Sequence, residues 1–168
     1  MKGKWWCMKK YNMVYADPPW ALGVMEKAKL LAMPVANKLM DNAVLWLWTP
    51  IPSLKESLSV LETWGFGYVH MLSWADLTAK NSPYWNRTRC EHLLVGVKGK
   101  VAMVDLLECN LFDLRAEEEA YHPEYFKDLA ESVAGRAFGE PAMLDVFGIY
   151  WQIRYPMYAK GDWDFWIA

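Results

Sequence analysis

Apolar residues come in blocks along this chain. Y-N-M-V-Y-A at 11–16 and A-V-L-W-L-W-T at 43–49 are apolar almost throughout. Such runs suit strands covered on both faces, as in a parallel sheet. Between them, Pro34 stands at a first-turn position and is followed by apolar residues at helical spacing, which predicts a helix. Ser53 and Glu56 form an S-x-x-E capping box. Leu54, Leu58 and Leu61 follow at helical spacing, and Gly65 supplies a stop, so a second helix is predicted there. G-Y-V-H-M-L-S-W (67–74) and E-H-L-L-V-G-V-K-G (91–99) read as strands on either side of a polar, basic, turn-rich loop. H-P-E-Y-F-K-D-L-A-E-S-V-A-G predicts a helix from Pro123 and Glu124 to Gly135. P-A-M-L-D-V-F-G (141–148) predicts a buried strand, and the tail after Trp151 one more. Residues 101–120 show no clear period.

Strands alternating with helices imply an α/β fold, a mostly parallel sheet with helices on both faces. The 168 residues contain no repeat, low-complexity tract or linker, so residues 1–168 are expected to form one domain. Hydrophobic residues at 54% are enough to fill its core. In such sheets ligands bind beyond the carboxyl ends of the strands. Two turn sequences, A-D-P-P-W at 16–20 and D-V-F-G at 145–148, stand at such ends and predict a single crevice.

Charge narrows the partners. A net charge of -2 and a pI near 5.9 give no general pull toward nucleic acid or membrane, so a nucleic-acid enzyme needs a local basic patch. No run reaches the ~18 apolar residues of a membrane span. The start, M-K-G-K-W-W-C-M-K-K, lacks an apolar signal core, so a cytoplasmic protein without a secretion signal is expected. Cys7, Cys90 and Cys109 are odd in number and lack a C-x-x-C pair, which favours reduced thiols over disulfides or zinc. His70, His92 and His122 are scattered, so no metal centre is expected. No glycine-rich phosphate loop supports NTP hydrolysis. The 11 tryptophans must serve mostly the core, with some available to stack on a flat ligand.

D-P-P-W carries the most specific chemistry. An acid before a proline is common in turns. A second proline fixes another φ and removes another donor, so the carbonyls of Asp17 and Pro18 are expected to point out of a rigid turn. A carboxylate beside carbonyls forms an acceptor-only cluster, whose natural guest is an NH₂ group. Trp20 offers a flat face to the ring bearing that amine. The lone pair of an exocyclic nucleobase amine is delocalised into the ring. Two acceptors on its N–H bonds favour a tetrahedral nitrogen and aim the lone pair at an electrophile, and Asp17 can take the released proton.

D-P-P-W after a hydrophobic strand resembles the signature of the adenine-N6 methyltransferases that use S-adenosylmethionine, a family that includes messenger-RNA adenosine methyltransferases and bacterial and phage DNA relatives. A-V-L-W-L-W-T-P, W-G-F-G-Y-V-H-M-L-S-W-A-D, W-N-R-T-R-C-E-H-L-L-V-G-V-K-G-K, H-P-E-Y-F-K-D-L-A-E-S-V-A-G, M-L-D-V-F-G and G-D-W-D-F-W resemble further family segments in the same order, over about residues 13–166. The resemblance implies a Rossmann-like class I methyltransferase sheet, circularly permuted so that the catalytic turn precedes the cofactor turn. It implies Asp17, Pro18, Pro19 and Trp20 as the catalytic segment. It implies an S-adenosylmethionine site lined by Ala16, Asp17, Pro18, His122, Asp145, Phe147 and Gly148. Four positions depart from the family pattern: His122 stands where Lys is usual, Ile149 where Arg is usual, and Ile167–Ala168 where Gly-Asn is usual. These departures define one alternative, a degenerate partner subunit that binds nucleic acid. A methyltransferase for a free nucleotide or small amine is another.

Lys80, Arg87, Arg89, Lys98 and Lys100 form the densest basic cluster, interleaved with Asn81, Tyr84, Trp85 and Asn86. A solvated face is the ordinary reading of such charges. Together with Trp20, the subset Lys80, Tyr84, Trp85, Arg87 and Arg89 is the candidate substrate surface, through phosphate contacts and base stacking. Nucleic acid is the expected partner, DNA before RNA. Target choice is expected to rest on the loops near 21–34 and 75–90, on a protein partner or on a homodimer.

Overall fold

The computed structural model describes residues 9–20, 27–76, 89–102, 110–113, 125–148 and 163–166. Its strands are β1 (Tyr11–Ala16), β2 (Leu39–Pro50), β3 (Gly67–Asp76), β4 (Arg89–Lys98), β5 (Leu111–Asp113), β6 (Met143–Val146) and β7 (Trp163–Trp166). The helices among the described residues are α1 (Lys27–Ala32), α2 (Leu54–Thr63) and α3 (Tyr125–Phe138). The strands form one seven-stranded sheet in the order β5-β3-β4-β2-β1-β6-β7. β1 pairs in parallel with both β2 and β6, and β6 with β7, whereas β4 is antiparallel to β2 and β3. The sheet is therefore mostly parallel, with β4 as its reversed strand. The block pattern predicted this mostly parallel α/β sheet, and the family resemblance implied its Rossmann-like form.

Strand alternation sorts side chains to two faces. Val14, Ala16, Leu45 and Leu47 pack with Leu30 of α1 and Val60 and Leu61 of α2 in a largely aliphatic core. Met13, Tyr15, Trp46, Trp48, Leu72 and Trp74 pack with Phe126, Ala130 and Ala134 of α3 in an aromatic one. Trp46, Trp48, Trp64 and Trp74 are fully buried, so the described tryptophans do serve mainly the core. Trp64 donates its indole N–H to the Leu30 carbonyl at 2.8 Å, tying the end of α2 to α1.

Several local expectations change. The helix predicted after Pro34 is only a 3-10 turn over Val35–Lys38, and β2 already begins at Leu39. Pairing with β1 extends the strand backward, a tertiary gain that outweighs local spacing. α2 forms, but Ser53 makes no side-chain cap bond. Its own carbonyl instead accepts the Ser57 hydroxyl at 2.9 Å, because a 3-10 turn already leads into the helix. Gly65 does stop α2. At φ +94° it donates to Glu62 while Phe66 donates to Leu61, the paired bonds of a Schellman ending. α3 runs through Gly135 and ends at Phe138, with Gly139 at φ +75° taking the terminating role. Pro123 and Glu124, its predicted start, lie outside the described residues. β5 arises from a region with no sequence period.

Candidate active site

Asp17 follows β1 directly, at the carboxyl edge of the central strand. It is 6% exposed, and its N–H donates to the Val146 carbonyl at a long 3.4 Å, so the first turn is fastened to the end of β6. Ala16, Pro18 and Pro19 are buried as well. Trp20 is half-buried against the aliphatic core, and its indole N–H is held by the Trp48 carbonyl at 2.8 Å. One expectation needs correction. The Pro18 carbonyl accepts the Trp20 N–H at 2.7 Å, because the chain doubles back at once. One of its lone pairs is already engaged, and only the second can serve a ligand.

The second turn lies next to the first. Tyr15 is in register with Asp145 and Ala16 with Val146, so the two predicted turns do border one place. Asp145 is 2% exposed. Lys127 of α3, also buried, donates to its Oδ2 at 2.7 Å. The Lys127 ammonium lies 5.0 Å from the centroid of the Trp163 ring and 5.4 Å from that of Phe165, an arrangement that favours a cation over aromatic faces. Burial pushes the Asp145 carboxyl up to about 6, against the pull of Lys127, and the Asp17 charge adds to the rise. The Gly148 N–H also bonds to this carboxylate. A Cβ on Gly148 would come within 2.4 Å of Asp145 Cγ and Oδ2, so only glycine lets the chain fold back so closely. Phe147 takes φ 77°, a left-handed conformation that costs a non-glycine residue roughly 1–3 kcal/mol. Its N–H donates to the Trp166 carbonyl at 2.9 Å, and its ring is buried.

Lys127 and Asp76 were missed in the sequence. Lys127 had a signal: it falls on the stripe with Ala130 and Ala134 that α3 buries, a place for an apolar residue. Asp76, 5% exposed, ends β3 at the same edge, opposite Arg89, which opens β4. Glu91 lies between Pro50 and Trp74 in the register. His92 Nδ1 is 3.1 Å from the Ser73 hydroxyl, and burial lowers its pKa while Glu91 opposes.

The basic cluster does not assemble as a whole. Lys98 and Lys100 stand at the far end of β4 from Arg89, roughly 30 Å away at ~3.4 Å per residue. Lys98 donates to the Met40 carbonyl there. Lys80, Tyr84, Trp85, Arg87 and His122 lie outside the described residues.

A family model described as MT-A70 matches residues 11–155. The type II methyltransferase M.MunI of a Mycoplasma species is 25% identical over 124 residues, covering 55% of this chain and 53% of that protein. The N(6)-adenosine-methyltransferase MT-A70-like protein of Drosophila melanogaster is 24% identical, covering 74% of this chain and 23% of its own length. The human N(6)-adenosine-methyltransferase catalytic subunit METTL3 is 24% identical, with 74% and 24% covered. The chain thus spans about half the length of the first and a quarter of the others.

Proposed function

This chain belongs to the MT-A70 family, and we propose that it transfers a methyl group from S-adenosylmethionine to the exocyclic N6 amine of adenine in nucleic acid, DNA before RNA. The observation that carries this reading is the pair of buried carboxylates, Asp17 and Asp145, at the ends of adjacent parallel strands. The donor set fits the cofactor. Among the described residues this edge of the sheet holds two acids and one engaged cation, a set that suits the ammonium and sulfonium of S-adenosylmethionine. Ala16, Asp17, Pro18, Asp145, Phe147 and Gly148 would hold it, with His122 supplying a donor for its carboxylate. When bound, S-adenosylmethionine supplies an electrophilic methyl group.

The chain's own residues do the rest. The Asp17 carboxylate and the second lone pair of the Pro18 carbonyl accept the two N–H bonds of the amine, which localises the nitrogen lone pair. Asp17 is then placed to receive the proton the nitrogen releases. Trp20, fixed by Trp48, presents its ring to a base flipped out of its stack. Pro18 and Pro19 keep these acceptors in place before the base arrives, so alignment costs little at the moment of transfer. Arg89, with Lys80, Tyr84, Trp85 and Arg87, forms the nucleic-acid surface. DNA is put before RNA because a bacterial type II methyltransferase, M.MunI, is among the relatives, and a cytoplasmic site of action belongs to the same reading. The permuted strand order belongs to the same reading, as does target selection aided by a protein partner or a second copy.

Incubation with labelled S-adenosylmethionine and DNA, RNA or free nucleotides, followed by nucleoside mass spectrometry, tests the proposal. N6-methyladenosine from RNA alone would reverse the substrate preference, and label on free nucleotides alone would favour the small-substrate reading. The departures at His122, Ile149, Ile167 and Ala168 favour a second reading, a nucleic-acid-binding partner subunit. Nucleic-acid binding without any label transfer would select it.

A further inference from the structure

The buried lysine of α3 has no part in the chemistry just described. A charge among aromatic rings is costly unless something requires it, and an apolar residue of similar size at such a place commonly serves stability as well. Lys127 is held on three sides. Its ammonium donates to Asp145 Oδ2 at 2.7 Å and lies over the rings of Trp163 and Phe165. Trp163 in turn donates its indole N–H to Glu131, one helical turn further along α3. The same Asp145 carboxylate accepts the Gly148 N–H, and the chain folds back over it so tightly that no side chain fits at 148. One carboxylate therefore joins a helix to a turn.

That turn also lies against the Asp17 turn. Its Val146 carbonyl accepts the Asp17 N–H. A path of direct contacts thus runs from Lys127 through Asp145 and the Asp145–Gly148 backbone to the Asp17 turn. Without the cation, Asp145 would be a buried carboxylate beside a second one. Its best relief would be to take up a proton, which weakens its grip on the Gly148 N–H and frees the strained φ at Phe147 to relax.

We propose that Lys127 is a positioning residue of this site: through its ion pair with Asp145 it clamps the Asp145–Gly148 turn and sets that turn against Asp17. Its purpose, though not the clamp itself, rests on the proposed function above.

The test compares wild type with Lys127→Met, Lys127→Arg and Asp145→Asn. Asp145→Asn keeps the shape of the site if Lys127→Met does not fold. Amide hydrogen exchange reads the clamp directly. In Lys127→Met and in Asp145→Asn, the Gly148 and Asp17 amides should exchange roughly tenfold faster relative to those of Val14 and Leu47 in the core. Lys127→Arg, which keeps the cation, should restore slow exchange. Titration with S-adenosylmethionine and single-turnover transfer should show the same order, with a loss of about a hundredfold in transfer rate for Lys127→Met and rescue by Lys127→Arg. Uniformly faster exchange of all amides, or Gly148 and Asp17 exchange unchanged from wild type, would overturn the proposal and leave Lys127 a stabilising residue only. Local loosening rescued by arginine, in a wild-type protein that neither binds nor uses the cofactor, would uphold the clamp and refute the methyltransferase reading instead.

Discussion

The two adjacent turns each hold an acid, and they stiffen it by different means. Asp17 is stiffened along the chain: Pro18 and Pro19 fix two φ angles and the Trp20 N–H closes back on Pro18. Asp145 is stiffened across the fold, by a lysine 18 residues earlier, by the Gly148 backbone and by a positive φ at Phe147. The first arrangement fixes the backbone of Asp17 and the two prolines after it at the carboxyl end of β1. The second brings a cation and engages its carboxylate internally. The chemical role proposed for Asp17 and the architectural one proposed for Asp145 rest on that difference.

The largest effect should come from breaking the second turn. Asp145→Ala leaves the Lys127 ammonium buried without its carboxylate, a loss of roughly 3–5 kcal/mol of stability. Denaturant unfolding at neutral pH measures it. A loss no greater than that of Asp17→Ala would erase the contrast between the turns.

Asp17→Ala reverses the pattern. It should leave the fold intact, because Asp17 lies at a strand end, while methyl transfer falls by about 10²–10³-fold, the effect of removing one preorganised hydrogen-bonding group. Transfer at the wild-type rate would remove Asp17 from the chemistry.

Gly148→Ala strikes the clamp without changing any charge. The new Cβ meets the Asp145 carboxylate at 2.4 Å, so either the turn or the ion pair must move, at about 1–3 kcal/mol for an overpacked site. A stability equal to wild type would mean the turn has room to shift and is not held tightly.

The contrast also explains what could be seen in the sequence. Strand blocks such as A-V-L-W-L-W-T and the D-P-P-W turn are local: their spacing and their prolines state their own conformation. The adjacency of the two turns was legible because strand ends in α/β sheets share an edge. Lys127 was not read as part of a site, since its pairing with Asp145 depends on where α3 packs on the sheet, which no local pattern encodes. β5 and the early start of β2 were invisible for the same reason, as both exist only through pairing with β3 and β1. The basic cluster failed differently. Arg89 and Lys98 are near in sequence, but an extended strand carries them to opposite edges.

That separation sharpens the next expectation, which concerns nucleic-acid binding. Neutralising Lys80, Arg87 and Arg89 together should flatten the salt dependence of duplex binding by roughly 0.9 in log-log slope for each lost phosphate contact. Neutralising Lys98 and Lys100 should leave the slope alone. Equal effects of the two sets, measured by fluorescence anisotropy at several salt concentrations, would place the nucleic acid across the sheet instead of at its carboxyl edge.

The smallest effect concerns pH, where the two sides of the proposed cofactor site pull in opposite directions. The Asp145 carboxyl is raised from 3.8 to about 6 in the fold, chiefly by burial. For this group alone, the protonated form is favoured by folding. Its stabilising contribution is fully present below about pH 4 and is lost as pH rises through about 6. Binding of a cationic cofactor has the reverse requirement, since the carboxylate must be charged. Affinity for S-adenosylmethionine should therefore fall as pH drops below about 6. At His122 the sign is opposite. In the proposed site an imidazolium at His122 adds charge for the cofactor carboxylate, so affinity should rise as pH falls from about 8. The two together give a maximum on the alkaline side of about pH 6. His122→Lys makes that charge permanent. It should remove the decline on the alkaline side, keep the one on the acidic side, and strengthen binding above pH 7 by about 1 kcal/mol if the pair is sheltered and by little if it is exposed. Asp145→Asn should remove the acidic decline and leave the alkaline one. Calorimetric titration of the three proteins across this range separates the two groups. An acidic limb that survives Asp145→Asn would assign it to Asp17, and would make the first turn the seat of the cofactor's cation as well as of the base.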